Sequence, residues 1–458
     1  MKTQTFIKRT HIKAPADEVF AWHIRPGALE RLTPPWVSAE VMERTGGVED
    51  GARVTLETRL GPLPVRWVVE HRDYQPGVQF RDIQVAGPFA RWEHTHRVEA
   101  AGPGGCYLED RIDYALPLGG LGELFGGGMV RRTLERLFDY RHRTTADDIT
   151  AHRHSHGGLP MRILVTGASG LIGSALVPFL TTGGHRVTRL VRSQPSPGES
   201  AIRWDPAEGT LARDELEGYD AVIHLAGENI ASRWTARKKA QIRDSRVKGT
   251  QLLCEALARL AMPPKVLVCA SGIGYYGDRG AEVLTEESPP GSSFLARVCQ
   301  DWEAAAQPAL KRHVRAVHLR LGMVLSPAGG ALAKMLPPFR LGLGGILGHG
   351  HQYMSWIALD DALGLVQHAL RTESLSGPVN AVAPHPVTNK AFTMTLGHVL
   401  GRPTLFPMPA FAARLMFGGM ADELLLTSAL IKPRKLLGSR YTFRFPKLEG
   451  ALRHLLGK

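Results

Sequence analysis

Three glycines at three-residue spacing, Gly167, Gly170 and Gly173, join two apolar runs in the segment VTGASGLIG at 165–173. The run before them (Ile163, Leu164, Val165) reads as a buried strand, and the run after them (Leu171, Ile172, Leu176, Val177) as a helix. A parallel strand that turns at once into a helix has little choice of residues at the corner, where a side chain would block the approach of a pyrophosphate. Free N–H groups and the dipole at the start of that helix favour negative charge. Gly167, Ser169, Gly170, Leu171, Ile172 and Gly173 are the expected cofactor-binding residues of this corner. A glycine trio alone also marks ordinary turns of α/β proteins. Here a second strand, HRVTRLVR at 185–192, follows at the expected distance, which favours nucleotide binding.

From Met161 onward strands and helices alternate, the strands being MRILVTG, HRVTRLVR, YDAVIHLAG, KVLVCAS and RAVHLRLG. That order predicts a Rossmann-type α/β fold, a doubly wound parallel sheet. Residues 1–150 read differently. TFIKRTHIKA alternates like a half-buried strand, and PADEVFAWHI starts a helix with Pro15 and Asp17 near its first turn. VTLETRL, VRWVVEHRDY, VQFRDIQVAG, ARWEHTHRVEA and YLEDRIDYAL follow at short spacing, as in an antiparallel meander. Val130, Leu134, Leu137 and Phe138 then recur at helical spacing between Met129 and Ile149, which completes an α+β domain. GLGELFGGG at 120–128 has no following Lys-Ser/Thr and is expected to be a loop rather than a phosphate cradle. AHRHSHGGLP at 151–160 is polar, ends in Gly-Gly and Pro, and immediately precedes Met161. The expected division is thus a first domain at 1–150, a linker at 151–160, a nucleotide-binding domain at 161–385 and a small domain at 386–458, with a late strand at YTFRF.

The 458 residues allow two to four domains, and 43% hydrophobic with 22% charged residues is a globular balance. No apolar run is long enough to span a bilayer, and MKTQTFIKRTHIK lacks the apolar core of a signal peptide, so a cytoplasmic protein is expected. The four cysteines, Cys106, Cys254, Cys269 and Cys299, form no CxxC pair, which argues against a disulfide framework and against zinc. His152, His154 and His156 alternate in the linker, but one short tract closes no ligand set, and no metal site is expected. The net charge of +13 is spread along the chain and interleaved with acids. Solvated helix faces and a phosphate-rich cofactor account for it, and no nucleic-acid partner is expected.

The segment HLAGENIASRWTARKKAQIRDSRVKGT at 224–250, taken with the glycine corner, resembles the extended short-chain dehydrogenase/reductase superfamily. More narrowly it resembles an NAD(P)-dependent epimerase family that carries this GEN, RWT and SR-x-x-GT signature and a small C-terminal domain of unknown role. SGIGYYGD (271–278), EESPPG (286–291), RLGMVLSP (320–327) and SWIALDD (355–361) extend the match. The resemblance implies that Leu225, Ala226 and Gly227 lie against the cofactor. Residues 1–150 are similar to the polyketide cyclase/START-like superfamily, most clearly at APADEVFAW, which implies a helix-grip fold around an apolar ligand. Trp22, Trp36, Trp67 and Trp92 either line such a cavity or form ordinary core. The partners implied are therefore small molecules, a substrate and an apolar ligand.

The choice of cofactor follows from charge. An acid at the tip of the second strand would accept hydrogen bonds from the ribose 2′-OH of NAD. Here the tip reads Val191-Arg192-Ser193, about twenty residues past the glycine corner. A guanidinium suits a 2′-phosphate, so Arg192 points to NADP(H).

Active members of the resembled superfamily move a proton with Tyr-x-x-x-Lys and a Ser or Thr. The segment that should carry the pair reads SSFLARVCQDWE at 292–303, with Phe294 or Leu295 at the tyrosine place and Val298 or Cys299 at the lysine place. None of these can do that work. Ser271 falls near the usual serine, and Tyr275 or Tyr276 is the candidate to face the nicotinamide. Glu228 and Arg246 complete the expected cofactor-facing set, Arg246 as partner of an anionic group. The bland alternatives are that Tyr276 only packs and that Glu228 and Asn229 cap the next helix. Two functions stay open: an NADP(H)-dependent oxidoreductase or epimerase, and a non-catalytic NADP(H)-binding sensor or scaffold.

Overall fold

The computed structural model describes residues 3–60, 63–154, 159–196 and 198–458. It divides into two units, one built on Met1–His156 and one on Gly157–Leu180 with His185–Leu456.

The first unit opens with β1 (Gln4–Ile12), α1 (Ala16–Ile24) and α2 (Ala28–Leu32). Strands β2 (Ala39–Thr45), β3 (Arg53–Leu60), β4 (Leu63–Gln75), β5 (Gln79–Ala86), β6 (Arg91–Ala100) and β7 (Cys106–Ala115) follow, and helix α3 (Gly120–His154) ends it. The sheet runs β1-β7-β6-β5-β4-β3-β2 with every pairing antiparallel. β6 alternates strictly, with Trp92, His94, His96 and Val98 buried and the residues between them more open. Leu134 and Phe138 of α3 pack on Phe6, Trp92, Ile112 and Tyr114 of this face, the helix-grip arrangement. Trp22 belongs to a neighbouring core with Phe20, Phe80 and Leu108, and Trp67 packs beside Trp92. Trp36 lies edge-on to Tyr140, ring centroids 5.0 Å apart.

The glycine-rich stretch 120–128 is the start of α3 and not a loop, and the helix runs on through His154 into the expected linker. Glycine lowers helix propensity by about 1 kcal/mol per residue, but close approach demands it at Gly122. A Cβ on Gly122 would lie 2.0 Å from the Pro117 carbonyl oxygen. Glu123 then ties this turn to β1 by accepting a hydrogen bond from Gln4 Nε2 at 2.8 Å. His156 and the side chain of His154 lie outside the described residues.

The second unit begins β8 (Arg162–Thr166), α4 (Leu171–Thr182), β9 (Arg186–Val191), β10 (Ala201–Asp205), β11 (Thr210–Leu211) and β12 (Ala221–His224). Next come α5 (Ala236–Ala258), β13 (Val266–Gly272), β14 (Val283–Leu284), α6 (Phe294–Ala304), α7 (Gln307–Leu310) and β15 (Arg315–Leu321). The chain continues through β16 (Met323–Leu325), α8 (Gly330–Arg340), β17 (Tyr353–Met354), β18 (Trp356–Ala358), α9 (Leu359–Arg371) and β19 (Gly377–Ala381). It ends with β20 (Val387–Thr388), α10 (Asn389–Leu400), α11 (Ala410–Phe417), β21 (Leu430–Ile431), α12 (Arg434–Gly438) and α13 (Leu448–Leu456).

The main sheet runs β11-β10-β9-β8-β12-β13-β15-β19, parallel except for the β10–β11 edge. β12 is buried at every residue and β13 at all but its last, as expected of strands covered on both faces. Leu164, Val222, Leu253, Leu267 and Trp302 form its core on one side. The tail joins through β21, parallel to β14. YTFRF at 441–445 is not a strand. Buried Asp361 captures its backbone instead, accepting from the N–H of Arg444 at 2.7 Å and of Phe445 at 3.0 Å, so no ladder partner is left to find. Among the described residues no helix is long and apolar enough to cross a membrane.

Candidate functional site

The turn between β8 and α4 explains its glycines. Gly167 takes φ +68°, and a Cβ there would lie 2.7 Å from the Leu225 carbonyl carbon. A Cβ on Gly173 would lie 2.2 Å from the Gly167 carbonyl oxygen. The corner therefore presses against Leu225 and closes on the first turn of α4, while Ser169 and Gly170 stay exposed. Leu171 and Ile172 are half-buried as α4 begins.

Leu225, Ala226 and Gly227 leave β12 beside this turn. Thr166 Oγ1 accepts the backbone N–H of Leu225 at 3.1 Å and of Ala226 at 3.2 Å. With both acceptor positions taken, that hydroxyl donates to His224 Nδ1 at 2.7 Å. His224 Nε2–H then donates to Thr250 Oγ1 at 2.9 Å, which also accepts from Trp302 Nε1 at 2.9 Å. Because Thr166 must donate to Nδ1, the neutral Nε2–H tautomer is selected. Burial lowers the His224 pKa to about 4.

The residues after Gly227 hold this loop in shape. The Glu228 N–H donates to Ser245 Oγ at 3.0 Å, and its carboxylate pairs with Lys238. Asn229 Oδ1 accepts from the Ala231 N–H at 2.8 Å, and Thr235, not Glu228 or Asn229, caps α5. Arg246 lies over the Trp302 ring, 5.0 Å from its centroid. It donates to the carbonyls of Glu228 at 3.0 Å and Ile242 at 3.1 Å.

Ser271, Tyr275 and Tyr276 fall at the carboxyl end of β13, around one guanidinium. Arg320 grips Glu303 through Nε at 2.8 Å and Nη2 at 2.9 Å, and Ser271 Oγ donates to the same carboxylate at 2.8 Å. Arg320 Nη1 donates to Tyr276 Oη at 2.9 Å, which donates in turn to Asn380 Oδ1 at 2.7 Å. Tyr276 is fully buried, and burial raises its pKa. Tyr275 is half-buried with the Arg320 guanidinium 3.4 Å above its ring centroid, and among the described residues its hydroxyl has no hydrogen-bond partner. Leu295, Val298 and Cys299 are buried on α6, with the Cys299 thiol pushed up to about 11 by burial. All four cysteines are free and buried.

Arg192 is exposed just past β9. Its neighbour Arg189 pairs with Glu199 at 2.7 Å, whereas Arg192 makes no ion pair among the described residues.

The first unit gathers a polar cluster that sequence reasoning missed. His71, Asp82, His94, His96, Asp110 and His142 meet under the sheet, on four strands and α3. Burial opposes the charges, but contacts from His71 and His96 hold Asp82 far below the usual carboxylate range, and Asp110 is held there likewise. Burial also pulls on His96, yet Asp110 and Asp82 carry it up to about 9, whereas burial and His96 together bring His94 down to about 4. The one signal in the sequence was the pair of histidines two apart in ARWEHTHRVEA.

A glycine corner at the end of a central parallel strand, with a second chain segment locked against it, defines an NAD(P)-binding Rossmann protein of the short-chain dehydrogenase/reductase class. Residues 163–381 match the NAD dependent epimerase/dehydratase family, 408–455 a domain of unknown function (DUF1731), and 12–138 the polyketide cyclase/dehydrase and lipid transport family. The chain belongs to the epimerase family that includes SDR39U1 of Homo sapiens, 40% identical over 301 residues, 65% of this chain and 100% of that protein. An epimerase family protein of Mycobacterium bovis is 42% identical over 291 residues, 63% of this chain and 96% of its own. A crystal structure named as the nucleoside-diphosphate sugar epimerase from Corynebacterium glutamicum is similar over 99% of this chain and 90% of its own, with TM-score 0.81 and 33% identity. Human SDR39U1 solved with NADPH covers 65% of this chain and 99% of its own, with TM-score 0.59 and 37% identity.

Proposed function

We propose that this protein is an NADP(H)-dependent oxidoreductase or epimerase-like enzyme acting on a small molecule. The pyrophosphate rests on the Gly167–Gly173 corner and the 2′-phosphate on Arg192. The observation that carries this reading is the tip of β9, which offers an exposed guanidinium, without an ion pair among the described residues, and no acid at Val191-Arg192-Ser193. A relative solved with NADPH supports the same choice. The bound nicotinamide supplies the hydride chemistry. Thr166 and His224 hold the Leu225–Gly227 backbone against the cofactor, and Arg246 keeps the following turn rigid.

Tyr275 is the proton-moving group of this reading, since the hydroxyls of Ser271 and Tyr276 already donate to Glu303 and Asn380. The first unit binds an apolar ligand in its helix-grip fold. A second reading, a non-catalytic NADP(H) sensor, is favoured by the same two engaged hydroxyls and by apolar Leu295 and Val298 where an acid/base pair would stand. Fluorescence titration with NADPH and NADH, followed by a screen for nicotinamide oxidation over carbonyl compounds with native protein and Tyr275→Phe, separates them. NADPH preference with turnover lost in Tyr275→Phe supports the enzyme. NADPH preference without turnover supports the sensor, and NADH preference overturns both.

A further inference from the structure

His94 and His96 sit two apart on β6, so both point to the buried face of the sheet. The register sets Asp82 opposite His94 and Asp110 opposite His96. One oxygen of Asp82, Oδ2, lies 3.3 Å from His96 Nε2 and 3.8 Å from His94 Nδ1. The other nitrogens of both rings face Asp110 Oδ1, His94 Nε2 at 2.7 Å and His96 Nδ1 at 2.7 Å. The outer oxygens are held as well: His71 Nδ1 is 2.6 Å from Asp82 Oδ1, and His142 Nε2 is 2.7 Å from Asp110 Oδ2.

We propose that Asp82, His94 and His96 form a site for a first-row divalent metal ion such as zinc, bound by Asp82 Oδ2, His94 Nδ1 and His96 Nε2 with a further position open. The three donor atoms lie within 4.8 Å of one another. A tetrahedral ion with bonds of about 2.0–2.1 Å spaces its ligands roughly 3.3 Å apart, the distance seen between Asp82 Oδ2 and His96 Nε2, while His94 Nδ1, 3.8 Å from the same oxygen, would draw inward. Two imidazoles and a carboxylate suit zinc, iron or copper better than magnesium or calcium. A carboxylate hydrogen-bonded to the far nitrogen of a ligating histidine orients the imidazole on a metal, and Asp110 does this for His94 through Nε2 at 2.7 Å.

Hydrogen bonding alone accounts poorly for the cluster. The 3.8 Å gap between His94 Nδ1 and Asp82 is too long for a hydrogen bond. His96 Nδ1 is a buried nitrogen without a hydrogen-bond partner among the described residues, although Asp110 Oδ1 lies 2.7 Å away. Phe80 stacks on His96 at 4.3 Å and Phe138 stands edge-on to His94 at 5.2 Å, so the far side of the site is dry. Asp82, its side chain 19% exposed, opens the way in.

The test uses the full chain, stripped with chelator and titrated with Zn²⁺ by calorimetry, with Co²⁺ spectra in parallel. One equivalent should bind. His96→Gln and Asp82→Asn should each weaken it at least about tenfold, and Asp110→Asn by about 10–100-fold at unchanged stoichiometry. The exposed, stacked pair His349 and His351 is the control, and His349→Gln with His351→Gln should change nothing. Absence of stoichiometric binding overturns the site, as does binding lost in the His349/His351 control and kept in the cluster variants. Where the cluster variants do not fold, the native Co²⁺ spectrum decides. Intense four-coordinate bands without thiolate charge transfer support the site, and a weak six-coordinate spectrum refutes it.

Discussion

The carboxylate of Glu303 receives both arms of the Arg320 guanidinium, at 2.8 and 2.9 Å, on the carboxyl side of the parallel sheet. Arg320 is 3% exposed in its side chain and Glu303 14%. Removing one partner from such a pair leaves an uncompensated buried charge, at a cost of about 3–5 kcal/mol. Glu303→Gln should therefore lower stability by that order in urea unfolding. A loss below about 1 kcal/mol would mean that solvent, not Glu303, compensates Arg320.

Tyr275 and Tyr276 should separate cleanly. Tyr276→Phe removes a buried hydroxyl that bridges Arg320 and Asn380, and should cost about 1–3 kcal/mol in thermal unfolding. Tyr275→Phe should leave stability within about 0.5 kcal/mol and act on turnover alone. Equal stability losses would remove Tyr275 from the proton-moving role.

Thr166→Val keeps the shape of the side chain but removes the acceptor of the Ala226 N–H and the donor to His224 Nδ1, while the Leu225 N–H keeps the Thr166 carbonyl. The expected loss is about 1–3 kcal/mol of stability, with NADPH bound more weakly because the loop at the corner loosens. Unchanged cofactor affinity would detach this loop from the binding site.

His224 gives a pH signature. Its folded pKa is lowered to about 4 by burial, so on acidification the unfolded chain takes up a proton near pH 6.5 that the folded chain refuses. Its contribution is fully present above about pH 6.5 and is lost as the pH falls toward 4, in total roughly 3 kcal/mol. His224→Gln should be less stable at pH 7 but lose less between pH 6.5 and 4. Parallel native and variant curves in that window would show that His224 does not titrate with unfolding.

Arg192→Ala should weaken NADPH at least about tenfold, since a charge-assisted hydrogen bond to phosphate is worth roughly 1.5–3 kcal/mol, and should leave NADH little changed. Arg192→Asp should also improve NADH by offering the ribose hydroxyl an acceptor. Equal losses for both cofactors would make Arg192 structural.

Legibility followed the locality of the constraint. The glycine corner could be read because Gly167 and Gly173 answer to atoms within a few residues and to the next parallel strand, whose apolar run is itself visible. The Asp361 contacts that hold Arg444 and Phe445 out of a strand were invisible, since propensity at YTFRF carries no trace of a distant carboxylate. Gly122 misled for the same reason: its glycine serves the Pro117 carbonyl, not a loop. The cluster at Asp82, His94 and His96 appears only once β5 and β6 are in register.

The pairing of β14 with β21 sets the order in which this protein can be finished. Arg279 N–H donates to the Ser428 carbonyl, and Ser428 Oγ donates to the Gly280 carbonyl, so the segment just past Tyr275 and Tyr276 is anchored by the far end of the chain. On the ribosome, β8 and its glycine corner emerge well before these contacts, which must wait for Ser428 and β21 to be made. A chain truncated before Ser428 would therefore keep the nucleotide corner and lose the wall beside the two tyrosines.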